Sequence, residues 1–73
     1  MIFDNFISEC KELSREIKVF KKHYNIGKID YDKYIIEINE IIKETKNDNN
    51  ISEENRVRID SIKYLIESWA NNL

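Results

Sequence analysis

Apolar residues recur in the first part of the chain at alternating steps of three and four positions. The stripe consists of Phe3, Phe6, Cys10, Leu13, Ile17, Phe20 and Tyr24. Such steps keep side chains on one face of an α-helix, because the helix has about 3.6 residues per turn. Charges that complement the helix dipole lie at each end of the segment, with Asp4 and Glu9 early and Lys21 and Lys22 late. The pattern predicts a helix over about residues 3–25, with one face that packs against another helix.

Two later segments repeat this periodicity. The apolar face of the second consists of Tyr31, Tyr34, Ile35, Ile38, Ile41, Ile42 and Thr45. The alternation that a half-buried strand requires fails where two isoleucines are adjacent, at 35–36 and at 41–42. The apolar face of the third consists of Ile59, Ile62, Leu65, Ile66, Trp69, Ala70 and Leu73. We therefore expect two further helices, over about residues 31–46 and 53–71.

The corner between the first two helices, residues 24–34, contains the residue types that end and begin helices. Gly27 is the only glycine of the chain, and we expect it to end the first helix with a positive φ, which glycine adopts without steric cost. Asp30 is the predicted N-cap of the second helix. Ile29 and Tyr34 stand at the spacing of a hydrophobic staple across that cap.

This corner also resembles the short helical hairpin of SHOCT-type domains. The shared pattern is G-x-I-D-x-x-x-Y after an apolar helix, with Gly27, Ile29, Asp30 and Tyr34 in the matching positions. Lys33 departs from the pattern, because that family usually has an acidic residue before the aromatic. The resemblance covers only part of the chain and implies a helical hairpin, without implying a function.

The second connector is the polar run KNDNN, residues 46–50, whose side chains compete with helix by bonding to nearby backbone. Ser52 is the predicted N-cap of the third helix, and Asn50 is an alternative one. Three amphipathic helices with short connectors predict an all-α fold, a single domain over residues 1–73 and a compact three-helix bundle. The first two helices should form an antiparallel hairpin. A long hairpin that completes its core by dimerising is the alternative, since so short a chain buries a limited core.

Composition excludes several classes of protein. With 41% hydrophobic and 36% charged residues, the chain is too apolar for a disordered tail and too polar for a membrane span. The first residues lack the basic and apolar parts of a secretory signal, and a lone cysteine, Cys10, cannot form an intramolecular disulfide. We therefore expect a cytoplasmic protein.

Isoleucine residues far outnumber leucines, and lysines outnumber arginines. This bias indicates AT-rich coding, as in a bacterial, phage or plasmid genome.

The chain shows no pattern of catalytic residues. It has no nucleophile paired with a base, and Gly27 stands alone without the other residues of a phosphate-binding loop. His23 has no second histidine or cysteine at a metal-binding spacing. Glu37, Glu40 and Glu44 follow one helical stripe, where we expect them to meet water. The sequence thus predicts a protein that is not an enzyme and has no cofactor and no metal site.

Two surface features are candidates for binding. The residues Lys11, Arg15, Lys18 and Lys22 form a basic ridge opposite the apolar stripe of the first helix. This ridge could contact phosphates or an acidic partner, or it could simply be solvated. On the third helix, Val57 and Tyr64 lie seven residues apart on the face away from the core. They predict a second contact face, unless a neighbouring helix wraps far enough to cover them.

Three hypotheses of function follow. The first is a non-catalytic protein-binding domain, such as a phage or mobile-element modulator that docks on a larger host protein or nucleoprotein complex. The second is a small helix-turn-helix-like regulator that binds nucleic acid with Arg56, Arg58 and Lys63 of the third helix. A net charge of −2 disfavours that reading, because nucleic-acid affinity comes mainly from cations on phosphates. The third is a self-associating structural subunit, such as a homodimer.

Overall fold

The computed structural model of the protein describes residues 2–24 and 27–72, with side chains from residue 4 onward. It contains three helices: α1 (Ile2–His23), α2 (Tyr31–Asp48) and α3 (Glu53–Asn71). No strand occurs in these described ranges, and the helices pack into a compact three-helix bundle, as the periodicity predicts. The main difference lies at the ends of two helices, since α1 ends at His23 and α2 continues to Asp48.

The helices alternate in direction, so α1 and α3 run parallel to each other. Near their amino-terminal ends, Arg56 of α3 lies 3.7 Å from the Glu9 carboxylate of α1. Near their carboxyl-terminal ends, the Phe20 and Trp69 rings are 5.7 Å apart. The most extensive contact is the one between α1 and α2, which form the predicted antiparallel hairpin.

The core follows the predicted apolar faces closely. Its buried members are Phe6, Cys10, Leu13, Ile17, Tyr31, Ile38, Ile41, Ile59 and Ile62. Two buried residues of α1, Ile7 and Ser14, lie beside the predicted stripe and were not expected. Ser14 borders Asn39 and Ile42 of α2, so its small side chain lets the two helices approach. Tyr24, the last residue of the predicted stripe, is 45% exposed. The predictions for Phe3 and Leu73 lie outside the described side chains.

An aromatic cluster closes one end of the bundle. Trp69 lies at its centre, with ring centroids 5.7, 5.4 and 5.6 Å from those of Phe20, Tyr31 and Tyr34. Offset and edge-to-face contacts of this kind add to the burial of the rings. Because the rings come from all three helices, this cluster ties the carboxyl end of α3 to the hairpin.

Side chains cap the second and third helices at the predicted residues. The Asp30 carboxylate accepts a hydrogen bond from the Lys33 backbone N–H at 3.2 Å, and the Ser52 hydroxyl accepts one from the Asn55 N–H at 3.1 Å. Ser52 is thus the cap of α3, rather than the alternative Asn50. At the end of α2, Asn49 has a φ of 50° and its N–H donates to the Thr45 carbonyl, which is a left-handed helix cap.

The conformation predicted for Gly27 was wrong. Within the described ranges the residue with a positive φ is Asn49, and Gly27 does not have one. A Cβ placed at Gly27 would meet no atom within 4 Å. The corner is instead held by a hydrogen bond that the Tyr31 hydroxyl donates to the Tyr24 carbonyl at 2.6 Å. This glycine is therefore not required for the turn.

An ion-pair network joins α3 to α2. The Arg58 guanidinium, whose side chain is only 25% exposed, lies 3.4, 3.9 and 3.4 Å from the carboxylates of Glu37, Glu40 and Glu44. Buried Asn55 lies between them, because its amide donates to Glu44 at 3.1 Å and its oxygen accepts from Arg58 at 2.9 Å. Glu40 and Glu44 remain 62% and 53% exposed, as expected of this stripe, and the pairing of its carboxylates with Arg58 was not expected.

A buried hydroxyl in α2 generates a first prediction. Thr45 is fully buried, and its Oγ1 has no hydrogen-bond partner among the described residues. Thr45→Val keeps the shape and removes the unsatisfied hydroxyl, so we expect the free energy of unfolding to rise by about 1 kcal/mol. Urea denaturation followed by circular dichroism measures it. Thr45→Ser, which keeps the hydroxyl and loses the methyl, should destabilise, and a destabilised valine variant would contradict the prediction.

A second prediction concerns Arg58. Arg58→Ala leaves three neighbouring carboxylates without their cation, and we expect the free energy of unfolding to fall by about 2 kcal/mol. The matched control is Arg15→Ala, whose side chain is 76% exposed and pairs with Glu12 at 3.7 Å. Exposed pairs contribute little, so this control should change stability by less than about 0.5 kcal/mol. Equal effects of the two substitutions in urea denaturation would show that the network does not hold α3.

Candidate protein-binding surface

The outer face of α3 presents two exposed apolar side chains. Tyr64 is 73% exposed and Val57 is 57% exposed. Seven residues are about two helical turns, so the two side chains lie on the same face. The alternative, in which a neighbouring helix covers them, is wrong for the described part of the chain. Two exposed apolar side chains on one helical face, one of them a tyrosine, make this face a candidate contact surface.

A depression of about 330 Å³ lies beside Tyr64, and we call it the Tyr64 depression. It is lined by Asp60, Lys63, Tyr64 and Glu67. Among the described residues, no ion pair engages Asp60, Lys63 or Glu67. An aromatic ring bordered by charged groups matches the common anatomy of an interface, in which polar residues surround an apolar anchor.

A groove between α1 and α3 continues from this depression. Its central part, of about 370 Å³, is lined by Glu9, Glu12, Leu13, Glu16, Lys63, Ile66 and Glu67. Its other part, of about 330 Å³, is lined by Glu12, Arg15, Glu16, Val19, Phe20, His23, Tyr24 and Ile66. We call the whole the α1–α3 groove and the second part its apolar end. Sequence reasoning missed this groove, because the parallel packing of α1 and α3 brings its walls together.

The basic ridge lies mainly on the side of α1 next to α2, although its Arg15 also lines the apolar end of the groove. All four of its residues are exposed, and Lys11, Arg15 and Lys18 line a depression with Asn39 and Ile42 of α2. Lys22 is not part of that depression. The ridge thus borders the contact between α1 and α2, whereas Val57 and Tyr64 lie on α3. The structure does not bring the two predicted binding features together.

The arginines of α3 are engaged within the bundle. Arg56 lies 4.9 Å above the centre of the Phe6 ring and 3.7 Å from Glu9, and Arg58 is held by the three glutamates of α2. Both arginines that a nucleic-acid reader would use on this helix therefore already have partners. Lys63 is exposed and remains beside Tyr64.

Groups that could perform chemistry are few in the described residues. Cys10 is fully buried, and burial, helped by the nearby Glu9 charge, raises the pKa of its thiol to about 11. His23 is exposed. No group of three or more histidine, cysteine, aspartate or glutamate side chains stands close enough to hold a metal ion in this part of the chain. Nor do the described residues include a helix long and apolar enough to cross a membrane.

Comparison with known proteins gives no relative from which a function could be carried over. No protein-family model, no curated protein and no solved structure matches the chain. The likeness of the corner to a SHOCT-type hairpin implied architecture alone, and the hairpin of α1 and α2 is present. The inference of a binding surface therefore depends on the exposure and position of the surface residues themselves.

The buried thiol gives a third prediction. The thiolate is the reactive form of cysteine, and burial both disfavours that form and excludes reagent. In the native state we expect Cys10 to react with a thiol reagent such as 5,5′-dithiobis(2-nitrobenzoate) at least about a hundredfold more slowly than in denaturing guanidinium chloride. Because it is the only cysteine, absorbance reports it alone. Native reaction at the denatured rate would show that α1 opens readily.

Proposed function

We propose that the protein is a small, non-catalytic protein-binding domain that contacts its partner through Tyr64 and Val57. The observation that carries the proposal is the exposure of these two side chains, 73% and 57%, on one face of a helix whose opposite face is in the core. Tyrosine is enriched among the residues that dominate binding energy, because its ring buries a large area and its hydroxyl keeps a polar partner.

The free energy available from burying Tyr64 is large enough for a specific contact. Burial of a tyrosine ring against a partner contributes roughly 2 kcal/mol from removal of apolar area from water. The charged groups around the ring, Asp60, Lys63 and Glu67, would add selectivity by matching opposite charges on the partner. A partner that buries Val57 as well covers two turns of α3, so the contact follows the helix.

The kind of partner is also a proposal. The small size of the domain and the AT-rich coding favour a phage or mobile-element modulator that docks on a larger host protein or nucleoprotein complex. A chain of this size acts on a larger protein or nucleoprotein complex most simply by covering one of its surfaces. This part of the proposal rests on composition and size alone.

Nucleic-acid binding is the second candidate function, and the exposed basic ridge favours it. Four cations on one face of α1 could contact successive phosphates. Against it stand the net charge of −2 and the engagement of Arg56 and Arg58 inside the bundle. If the ridge binds nucleic acid, affinity for duplex DNA or RNA should fall steeply with added salt, and Lys11→Glu with Lys18→Glu should abolish it.

Paired substitutions test the leading proposal. Affinity capture from the native cell should recover a partner with the wild-type domain, and Tyr64→Ala or Val57→Ala should weaken its retention about tenfold or more. Ile36→Ala is the matched control, because Ile36 is equally exposed, at 58%, but lies on α2. All three variants should keep the helical content and melting temperature of the wild type.

Two results of this experiment would contradict the proposal. One is a partner whose retention is unchanged by either substitution on α3. The other is loss of folding in Tyr64→Ala or Val57→Ala, seen by circular dichroism, which would mean that these side chains stabilise the bundle. A measured mass in solution, compared between wild type and variants, distinguishes a foreign partner from a second copy of the chain.

A further inference from the structure

The α1–α3 groove arises from uneven packing of the three helices. Contacts between α1 and α2 are much more extensive than those that either helix makes with α3. On its α2 side, α3 has the Arg58 network, although its backbone contacts with α1 and with α2 are equally limited. On its α1 side, the one ion pair among the described residues is Arg56 with Glu9, near the start of α3. Past that pair, the surface between the two parallel helices carries the two depressions of the groove, and the helices meet again where Phe20 packs on Trp69.

The floor of this groove is apolar. Leu13 and Ile66 line the central part, and the apolar end adds Val19, Phe20 and Tyr24. Val19 and Tyr24 remain 49% and 45% exposed, although both are large apolar side chains. Their position in one depression with Ile66 distinguishes them from the scattered exposed residues that any surface carries.

The walls of the central part of the groove are predominantly acidic, whereas Arg15 and His23 line the apolar end together with Glu12 and Glu16. The lining residues of the central part include Glu9, Glu12, Glu16 and Glu67 against a single cation, Lys63. Glu9 and Glu12 have ion pairs at 3.7 Å, with Arg56 and Arg15. No ion pair of the described residues engages Glu16 or Glu67, one on each wall. An apolar floor between carboxylates is complementary to an apolar stripe between cations.

An amphipathic helix has this arrangement of side chains. A helix laid in the channel between two parallel helices runs antiparallel to both and completes a four-helix bundle. Its apolar residues at positions i, i+3, i+4 and i+7 would cover the floor. Lysines or arginines on its flanks would extend over the carboxylates, with their aliphatic stems against the apolar rim.

Other occupants fit the groove less well. If two copies joined through their grooves, the glutamates of one groove would face those of the other and repel them. The basic ridge of a second copy has the right charge, but the ridge residues offer no apolar side chain to cover Val19 and Tyr24. Nucleic acid would meet repulsion from the glutamates on both walls.

We propose that the α1–α3 groove binds a basic amphipathic helix of a partner protein. This proposal rests on the proposed function, that the chain is a protein-binding domain, and specifies the chemistry of one partner segment. The Tyr64 depression shares Lys63 and Glu67 with the groove, so a partner that places a helix in the groove also reaches Tyr64.

The test uses a synthetic peptide as a probe. The probe is an amphipathic leucine–lysine peptide of about 18 residues, enough for five helical turns, with leucines at i, i+3, i+4 and i+7. A second peptide has the same composition in scrambled order. Binding to the full chain is titrated by the fluorescence of Trp69, which packs on Phe20 beneath the apolar end, and is located by nuclear magnetic resonance shifts.

Matched variants separate the groove from general charge attraction. Glu16→Lys combined with Glu67→Lys reverses one charge on each wall, and Val19→Asp places a charge on the floor. The control combines Asp48→Lys and Glu54→Lys, which make the same charge change at exposed positions outside the groove. We expect each groove variant and the scrambled peptide to weaken binding about tenfold or more, and the control to stay within about twofold.

Three outcomes would overturn the proposal. The first is an equal loss in the groove and control variants, which would mean that only net charge attracts the peptide. The second is peptide binding that is indifferent to Val19→Asp. The third is a wild-type chain that sediments as a dimer and becomes a monomer with Val19→Asp, which would place a second copy on this surface.

The same variants distinguish failure of the groove proposal from failure of the proposed function. In affinity capture, a native partner that is retained equally by wild type and by Val19→Asp, which lies outside the Tyr64 depression, yet is lost by Tyr64→Ala, would overturn the groove and leave the protein-binding function in place. A partner whose retention none of these substitutions changes would contradict both.

Discussion

The Arg58 network joins α3 to the hairpin, together with the apolar core and the aromatic cluster around Trp69. Three carboxylates of α2 converge on one guanidinium, and the buried amide of Asn55 connects two of these charged groups. Hydrogen bonds that involve a charged group are stronger than those between neutral groups. The Arg58 side chain is mostly buried, whereas Glu40 and Glu44 are more than half exposed, so the network adds to the apolar contacts of α3 without replacing them. On the faces of α3 that do not contact α2, Tyr64 is exposed and Ile66 lines the α1–α3 groove.

The helices and much of the core follow from local sequence. Spacing of three and four places Phe6, Ile38 and Ile59 in the interior, and Asp30 and Ser52 cap their helices because short polar side chains satisfy the first free N–H groups. These features depend on neighbours a few residues away. Periodicity could therefore predict the fold class and the hairpin correctly.

Other features depend on partners that are distant in sequence. The burial of Ile7 and Ser14 depends on which side of the stripe α2 occupies, and the role of Arg58 depends on carboxylates of another helix. Val19 looks like an isolated exposed residue until parallel packing brings Ile66 beside it. Gly27 was misjudged for a related reason, because a tertiary hydrogen bond from Tyr31, and not local backbone freedom, shapes the corner. The outward face of Val57 and Tyr64 was predictable, since helical spacing alone defines it.

The unequal contacts among the three helices also bear on the order in which the helices dock during folding. The hairpin of α1 and α2 joins neighbouring segments, and contacts of low sequence separation form early in folding. The smaller contact of α3 predicts that this helix docks last and leaves first in a partial opening of the native state. Tyr64 and one wall of the α1–α3 groove belong to this helix. The proposed binding surface thus lies on the helix that is expected to open first, where a partner could adjust the fit by moving a single helix.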